Sequence, residues 1–150
     1  MKNINWNQFE KDIKNLANKI KAKRVIGGVF NKYNCTKILA ISKGGLIPAY
    51  YLARYLGIKY VSTLCVQSYT DENNKIELST IPKVIQKNNT KGWLIVDDIV
   101  DSGETMKLAK SLYPNSIFAS VYKKDSFKDT EKLDFYAEEV DGWLIFPWET

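Results

Sequence analysis

Residues Trp93 to Thr105 read WLIVDDIVDSGET. The apolar run Trp93-Leu94-Ile95-Val96 is a buried strand, and it stops at two adjacent carboxylates, Asp97 and Asp98. A loop follows, Asp101-Ser102-Gly103-Glu104-Thr105, and then a helical pattern begins. A strand that ends in paired acids and turns through such a loop into a helix N-terminus suits a phosphorylated sugar. Loop N–H groups and the positive end of the helix dipole face a phosphate. Ser102 and Thr105 add hydroxyl donors, and Gly103 lets the backbone approach an anion closely. The acid pair suits sugar hydroxyls and a hard cation such as magnesium. Asp101 and Glu104 also fit a capping box, with Asp101 as N-cap and Glu104 at the third helical position. That explains two loop acids and leaves Asp97 and Asp98 unexplained. Ionised carboxylates at the end of a buried strand are costly unless paired or metal-bound.

Outward from this stretch the pattern alternates between strand and helix. Met106 to Tyr113 continues the helix and Pro114 ends it; Ser116 to Tyr122 reads as the next strand and Phe135 to Glu139 as another. On the other side lie an Asn88-Asn89-Thr90 turn, a polar loop over Thr70 to Lys75 and a β-branched strand over Lys59 to Gln67. Before them come a helix over Leu46 to Leu56 stopped by Gly57, and a strand over Lys37 to Ile41. Trp6, Phe9, Ile13, Leu16 and Ile20 recur at helical spacing, with Asn5 and Gln8 as a cap pair. This order predicts an α/β fold with a mainly parallel central sheet flanked by helices. In such sheets ligands bind outside the carboxyl ends of the strands, and the motifs named here fall at those ends.

At 150 residues the chain reads as one domain, residues 1–150, with a core of its own. It has 22 Lys and Arg against 17 Asp and Glu, a net charge of +5 that favours anionic ligands. The lysines are scattered rather than striped, so nucleic acid is not implied. Histidine is absent, which removes His triads, His bases and His metal sites, and leaves acid–base chemistry to carboxylates, Lys, Tyr or Cys. Cys35 and Cys65 have no paired spacing, which points to a reducing compartment. With no signal-like h-region and no apolar run of membrane-spanning length, the reading is a soluble, cytoplasmic protein.

A second loop, Ile41-Ser42-Lys43-Gly44-Gly45-Leu46-Ile47-Pro48, places a basic residue and two glycines between a strand end and a helix start. Taken alone it is an ordinary βα turn with an exposed lysine. Its glycines free N–H groups for an anion, and Lys43 adds positive charge.

The segment VDDIVDSGET resembles the phosphoribosyl-pyrophosphate (PRPP) signature of type I phosphoribosyltransferases: two acids, two apolar residues, then an acidic-small-Gly-x-Thr loop at fixed spacing. The likeness runs from the Trp6 helix to Trp148 and is nearest the short bacterial xanthine-guanine (6-oxopurine) enzymes. It implies the type I fold with a small hood, and purine salvage: transfer of phosphoribose from PRPP to guanine, xanthine or hypoxanthine, with release of pyrophosphate and a nucleoside monophosphate. It implies magnesium, held by Asp98 and Asp97, and a homodimer or homotetramer. In the same pattern Lys43 and Gly44 form the pyrophosphate loop, with a non-proline cis peptide near Ser42–Lys43. Ser68-Tyr69 would stand at the base of the hood, with Lys75 within reach of pyrophosphate. Asp97, Asp98, Asp101, Ser102, Gly103, Glu104 and Thr105 would hold ribose and 5′-phosphate, with Asp101 the acceptor of the proton near purine N7. Lys124 would donate to the purine O6, with Lys123 the alternative one register away. Trp143 would stack on the ring and the Leu144 carbonyl would meet its two-amino side.

The chain departs from that pattern in having Lys43 where arginine is usual, which turns a bidentate grip into a point charge. Ile145 and Phe146 also stand where the pattern has polar residues near the base. Glu104, a carboxylate inside a phosphate loop, must point away from the anion, and whether Glu149 takes part in metal binding is left open by the sequence. The competing function is a PRPP-sensing regulator of the same fold, which would need a dense basic stripe or an added nucleic-acid-binding domain. An orotate- or adenine-type enzyme is a third option, against which Lys124 and Trp143 stand.

Overall fold

The computed structural model describes residues 1–26, 31–68, 76–78, 91–128 and 133–149. The elements are β1 (Lys2–Asn3), α1 (Trp6–Ile26), β2 (Lys37–Ser42), α2 (Leu46–Leu56), β3 (Tyr60–Ser68), β4 (Ile76–Leu78), β5 (Trp93–Val100), α3 (Glu104–Leu112), β6 (Ile117–Lys124), β7 (Phe135–Val140) and β8 (Leu144–Ile145). A short 3-10 turn over Pro147–Glu149 follows β8. Six strands form one sheet in the order β4-β3-β2-β5-β6-β7, parallel throughout except for β4.

Both faces of this sheet are covered, which explains why its strands read as nearly unbroken apolar runs. Strand alternation divides them. Ile38, Ala40, Leu94 and Val96 face a core built with Phe9, Ile13, Leu16 and Ile20 of α1 and Leu52 of α2. Leu39, Ile41, Trp93 and Ile95 face the opposite core, with Met106 and Ala109 of α3. The four α1 anchors are each at most 2% exposed, and burying each one stabilises the fold by roughly 1.5–3 kcal/mol. The predicted caps hold: Gln8 N donates to Asn5 Oδ1 at 2.8 Å, and Gly57 closes α2 at φ 68°.

The topology opens the crevice. β2 continues to β3 on one side, whereas β5 continues to β6 and β7 on the other, so the chain changes direction between β2 and β5. Those two strands pair from Lys37↔Trp93 to Ala40↔Val96 and no further. Beyond that point β2 runs with β3 to Ser42↔Cys65, and β5 runs with β6 to Val100↔Lys123. The strand therefore does not end at Asp97 and Asp98, as the sequence suggests. It loses its β2 neighbour there and keeps its β6 neighbour, so the acids sit on a splayed lip.

A polar knot lies under the far end of this lip. Tyr122 Oη donates to Asp12 Oδ2 at 2.7 Å, and Gln8 Nε2 donates to Asp12 Oδ1 at 2.9 Å. Burial, with the Asp12 carboxylate beside it, pushes the Tyr122 phenol well above its usual pKa. Tyr122→Phe leaves one oxygen of a buried carboxylate unpaired. It should destabilise the protein by about 1–3 kcal/mol in denaturant unfolding. An unchanged unfolding midpoint would show that the bond contributes nothing.

Candidate active site

At the carboxyl end of β2 the peptide bond Ser42–Lys43 is cis, as the pattern implied. The turn brings Gly44 directly against Asp98: a Cβ at position 44 would lie 2.6 Å from Asp98 Cγ, so a larger residue would displace the Asp98 carboxylate. Lys43 is exposed at the tip of the turn. The Ser42–Gly45 turn and the acid pair are thus one assembly. Asp97 Oδ1 accepts from Asp98 N at 2.9 Å, and Asp98 Oδ1 accepts from Ile99 N at 2.7 Å. Burial and then the neighbouring Asp98 push the Asp97 carboxyl well above the ordinary range. Burial pushes Asp98 up as well, and its bonds with Asp97 and Ile99 oppose that rise.

Downstream, a cleft of about 320 Å³ is lined by Asp97, Ile99, Val100, Asp101, Ser102, Gly103, Thr105 and Met106. The helix behind it starts differently from the capping-box expectation. The N-cap is Gly103, at φ 84° and without a side-chain cap bond, and Glu104 is the first helical residue. Asp101 stands two residues too early to cap α3. The left-handed turn at Gly103 takes the cap position instead, and Ser102 Oγ meets Glu104 N at 3.4 Å. Glu104 turns outward to Lys107, at 3.5 Å, and does not line the cleft.

A second cleft, about 540 Å³, adjoins the first and is lined by Asp98, Ile99, Asp101, Lys124, Trp143, Leu144, Phe146 and Glu149. Asp101 and Ile99 belong to both walls. Lys123 and Lys124 do not follow β6 but form its last two residues, because pairing with β7 persists to Lys124↔Val140. Alternation then sends them to opposite sides. Lys124 Nζ reaches Asp101 Oδ2 at 3.1 Å and lies 5.4 Å from the centre of the Trp143 ring. Lys123 is 3% exposed and pairs with Glu139 Oε2 at 2.8 Å. Of the two registers left open by the sequence, Lys124 faces the cleft.

The carbonyls of Trp143 and Ile145 accept from Lys2 N and Ile4 N, both at 2.9 Å, as β1 and β8 pair in parallel. Strand alternation turns the intervening Leu144 carbonyl away from β1, and Leu144 is among the residues lining the second cleft. Glu149 Oε2 accepts from Phe146 N at 2.7 Å and pins the segment that carries Trp143. Ile99 was not singled out in the sequence, where it reads as an ordinary strand residue, whereas Phe146, noted there as a departure from the pattern, lines the second cleft. Tyr69 and Lys75 lie outside the described residues, as does most of the segment read as a hood. Among the described residues no helix is long and apolar enough to cross a membrane.

Comparison with known proteins places the sequence and the fold in a family. The family model for a phosphoribosyl transferase domain matches residues 5–150. The chain is 36% identical to a xanthine-guanine phosphoribosyltransferase of Desulfotalea psychrophila over 149 residues, 98% of this chain and 85% of that one. A crystal structure of a purine phosphoribosyltransferase from Pyrococcus horikoshii superposes with a TM-score of 0.79 at 25% identity, covering 99% of this chain and 93% of the other. A Helicobacter pylori xanthine-guanine-hypoxanthine phosphoribosyltransferase shares the fold, with a TM-score of 0.76 at 24% identity over 99% of this chain and 93% of its own. With the acid pair, the glycine-capped loop and the cis-peptide turn gathered at one sheet edge, the chain belongs to the phosphoribosyltransferase family.

Proposed function

We propose that this protein is a purine-salvage enzyme that transfers phosphoribose from PRPP to a 6-oxopurine, in the cytoplasm and as a single catalytic domain. The observation that carries this reading is the shared wall. Asp101 and Ile99 line both the loop cleft and the aromatic cleft, so a phosphoribosyl group in one meets a planar base in the other at Asp101.

In this reading the Asp101–Thr105 loop holds the 5′-phosphate through backbone N–H groups, the Ser102 and Thr105 hydroxyls and the α3 dipole. Asp97 and Asp98 hold ribose hydroxyls. Lys43 and Gly44 border the departing pyrophosphate. The base lies against Trp143, with Lys124 donating to O6 and the Leu144 carbonyl accepting from the two-position. Lys124 is held by Asp101. An incoming base parts that pair, taking the ammonium at O6 and leaving Asp101 free to accept the proton from the ring nitrogen.

The acid pair fits a divalent cation: burial makes ionising Asp97 and Asp98 costly, no described lysine or arginine forms an ion pair with either, and a bound cation would offset that cost. No cluster of three metal-ligating side chains exists among the described residues. Magnesium takes one or two carboxylates and completes its shell with water and substrate phosphates, so two adjacent acids are enough to hold it. When bound, magnesium supplies the charge that neutralises the leaving pyrophosphate. Exposed apolar side chains at Leu46, Tyr50, Tyr60 and Val61 support a homo-oligomer, which light scattering would measure.

Base choice tests the reading. Adenine offers an amino group where an oxopurine offers an acceptor, so two donors would face each other, at a cost of about 1–3 kcal/mol. The protein should use guanine, xanthine or hypoxanthine and reject adenine in a pyrophosphate-release assay. Lys124→Ala should erode that preference mainly by slowing the oxopurines, while exposed Lys128→Ala leaves it unchanged. Lys123→Ala would not serve as such a control, because it empties a buried site. Adenine turnover equal to guanine in the unaltered protein would refute the assignment.

A further inference from the structure

We propose that Phe127, held from behind by Lys123, is a positioning residue that sets the height of the phosphate loop. The proposal rests on the assignment of that loop to the 5′-phosphate and extends it to residues that touch no substrate. Phe127 lies in the connection after β6, 5% exposed, in the core beneath α3. Its ring presses on the main chain of Gly103: a Cβ there would lie 2.5 Å from Phe127 Cε2 and 3.3 Å from Cδ2 and Cζ. Gly103 is the turning point of the loop, left-handed and without a side-chain cap. The loop thus has little internal bracing where it must present its N–H groups, and the aromatic ring is the surface it rests on.

Phe127 is itself fixed by main-chain and buried-charge contacts. Its N–H donates to the Lys124 carbonyl at 3.0 Å, and its carbonyl accepts from Lys123 Nζ at 3.2 Å. The Lys123 ammonium also meets Glu139 Oε2 at 2.8 Å and the Lys124 carbonyl at 3.4 Å, and it lies 5.4 Å from the Tyr136 ring centre. The backbone of the base-facing Lys124 is therefore bonded to the same group that supports the phosphate loop. A shift of Phe127 moves the loop relative to the lysine, so the support keeps the two clefts in register.

A core residue of no special role would lose stability on substitution without discriminating between ligands. The test compares Phe127→Leu and Phe127→Met with Leu133→Ala, a truncation in the same core cluster. Calorimetry with ribose 5-phosphate, KM for PRPP and for guanine, and thermal midpoints are measured for each. The Phe127 variants should weaken ribose 5-phosphate binding and raise KM for PRPP by about 10- to 100-fold, with KM for guanine within about twofold. Leu133→Ala should lower the midpoint and leave ribose 5-phosphate binding alone. The proposal is overturned if both Phe127 variants bind ribose 5-phosphate like the unaltered protein, or if Leu133→Ala weakens it equally. If the unaltered protein binds neither ribose 5-phosphate nor PRPP, the functional reading fails, which is a separate outcome.

Discussion

Asp101→Asn is expected to lower turnover by about 10²- to 10⁴-fold and to leave PRPP affinity nearly unchanged. The amide keeps the shape of the carboxylate but cannot take a proton from the base. Asp101 is suited to that separation. It does not cap α3, which starts from Gly103, so the substitution costs the helix nothing. It does hold Lys124 at 3.1 Å, and an amide releases that ammonium. Base affinity should therefore hold steady or rise while the chemical step slows. Single-turnover measurement at saturating PRPP and guanine separates the two effects. Near-normal turnover in the variant would show that another group accepts the proton.

The second large effect concerns Asp97 and Asp98. PRPP should bind in magnesium and lose about 100-fold or more of its affinity in chelator or in the Asp97→Ala, Asp98→Ala double variant. Equal affinity in chelator would sink this proposal. The same pair predicts a pH signature. Both folded-state pKa values are raised, so between the ordinary carboxylate range and the elevated values the folded protein holds protons that the unfolded chain has lost. Stability from this source is present in acid and lost as pH rises through that window. Ligand-free protein should therefore gain thermal stability from neutral toward mildly acid pH. Asp97→Asn with Asp98→Asn should flatten that dependence, and magnesium with PRPP should stabilise most at neutral pH.

Much of this was readable from local pattern. Leu46–Leu56 was delimited by its apolar run and its stopping glycine, and the sheet was implied by strands alternating with helices. That Asp97 and Asp101 to Thr105 gather round one cleft was legible because they lie close together in sequence between β5 and α3. What was not legible depends on contacts distant in sequence. Nothing near Asp97 says that β5 keeps β6 as a neighbour after losing β2. Nothing near Lys123 says that Glu139 will neutralise it, so the two lysines could not be told apart. The Asp101 capping box failed because a left-handed glycine competes for the same helix start, and sequence spacing does not decide between them. Tyr122 and Asp12 read as a strand filler and a polar helix residue until the fold closed them together.

The pairing of β1 with β8 bears on the order of assembly. Lys2 and Ile4 hold the main chain of Trp143 and Ile145, so the aromatic cleft is closed by a contact that spans almost the whole chain. Such a contact bears the largest loop-closure entropy and forms after the sheet has already brought its ends near. On refolding, the β2, β5 and β6 framework can form before β8 finds β1. The cleft at Asp101 to Thr105 should therefore take shape before the aromatic cleft at Trp143.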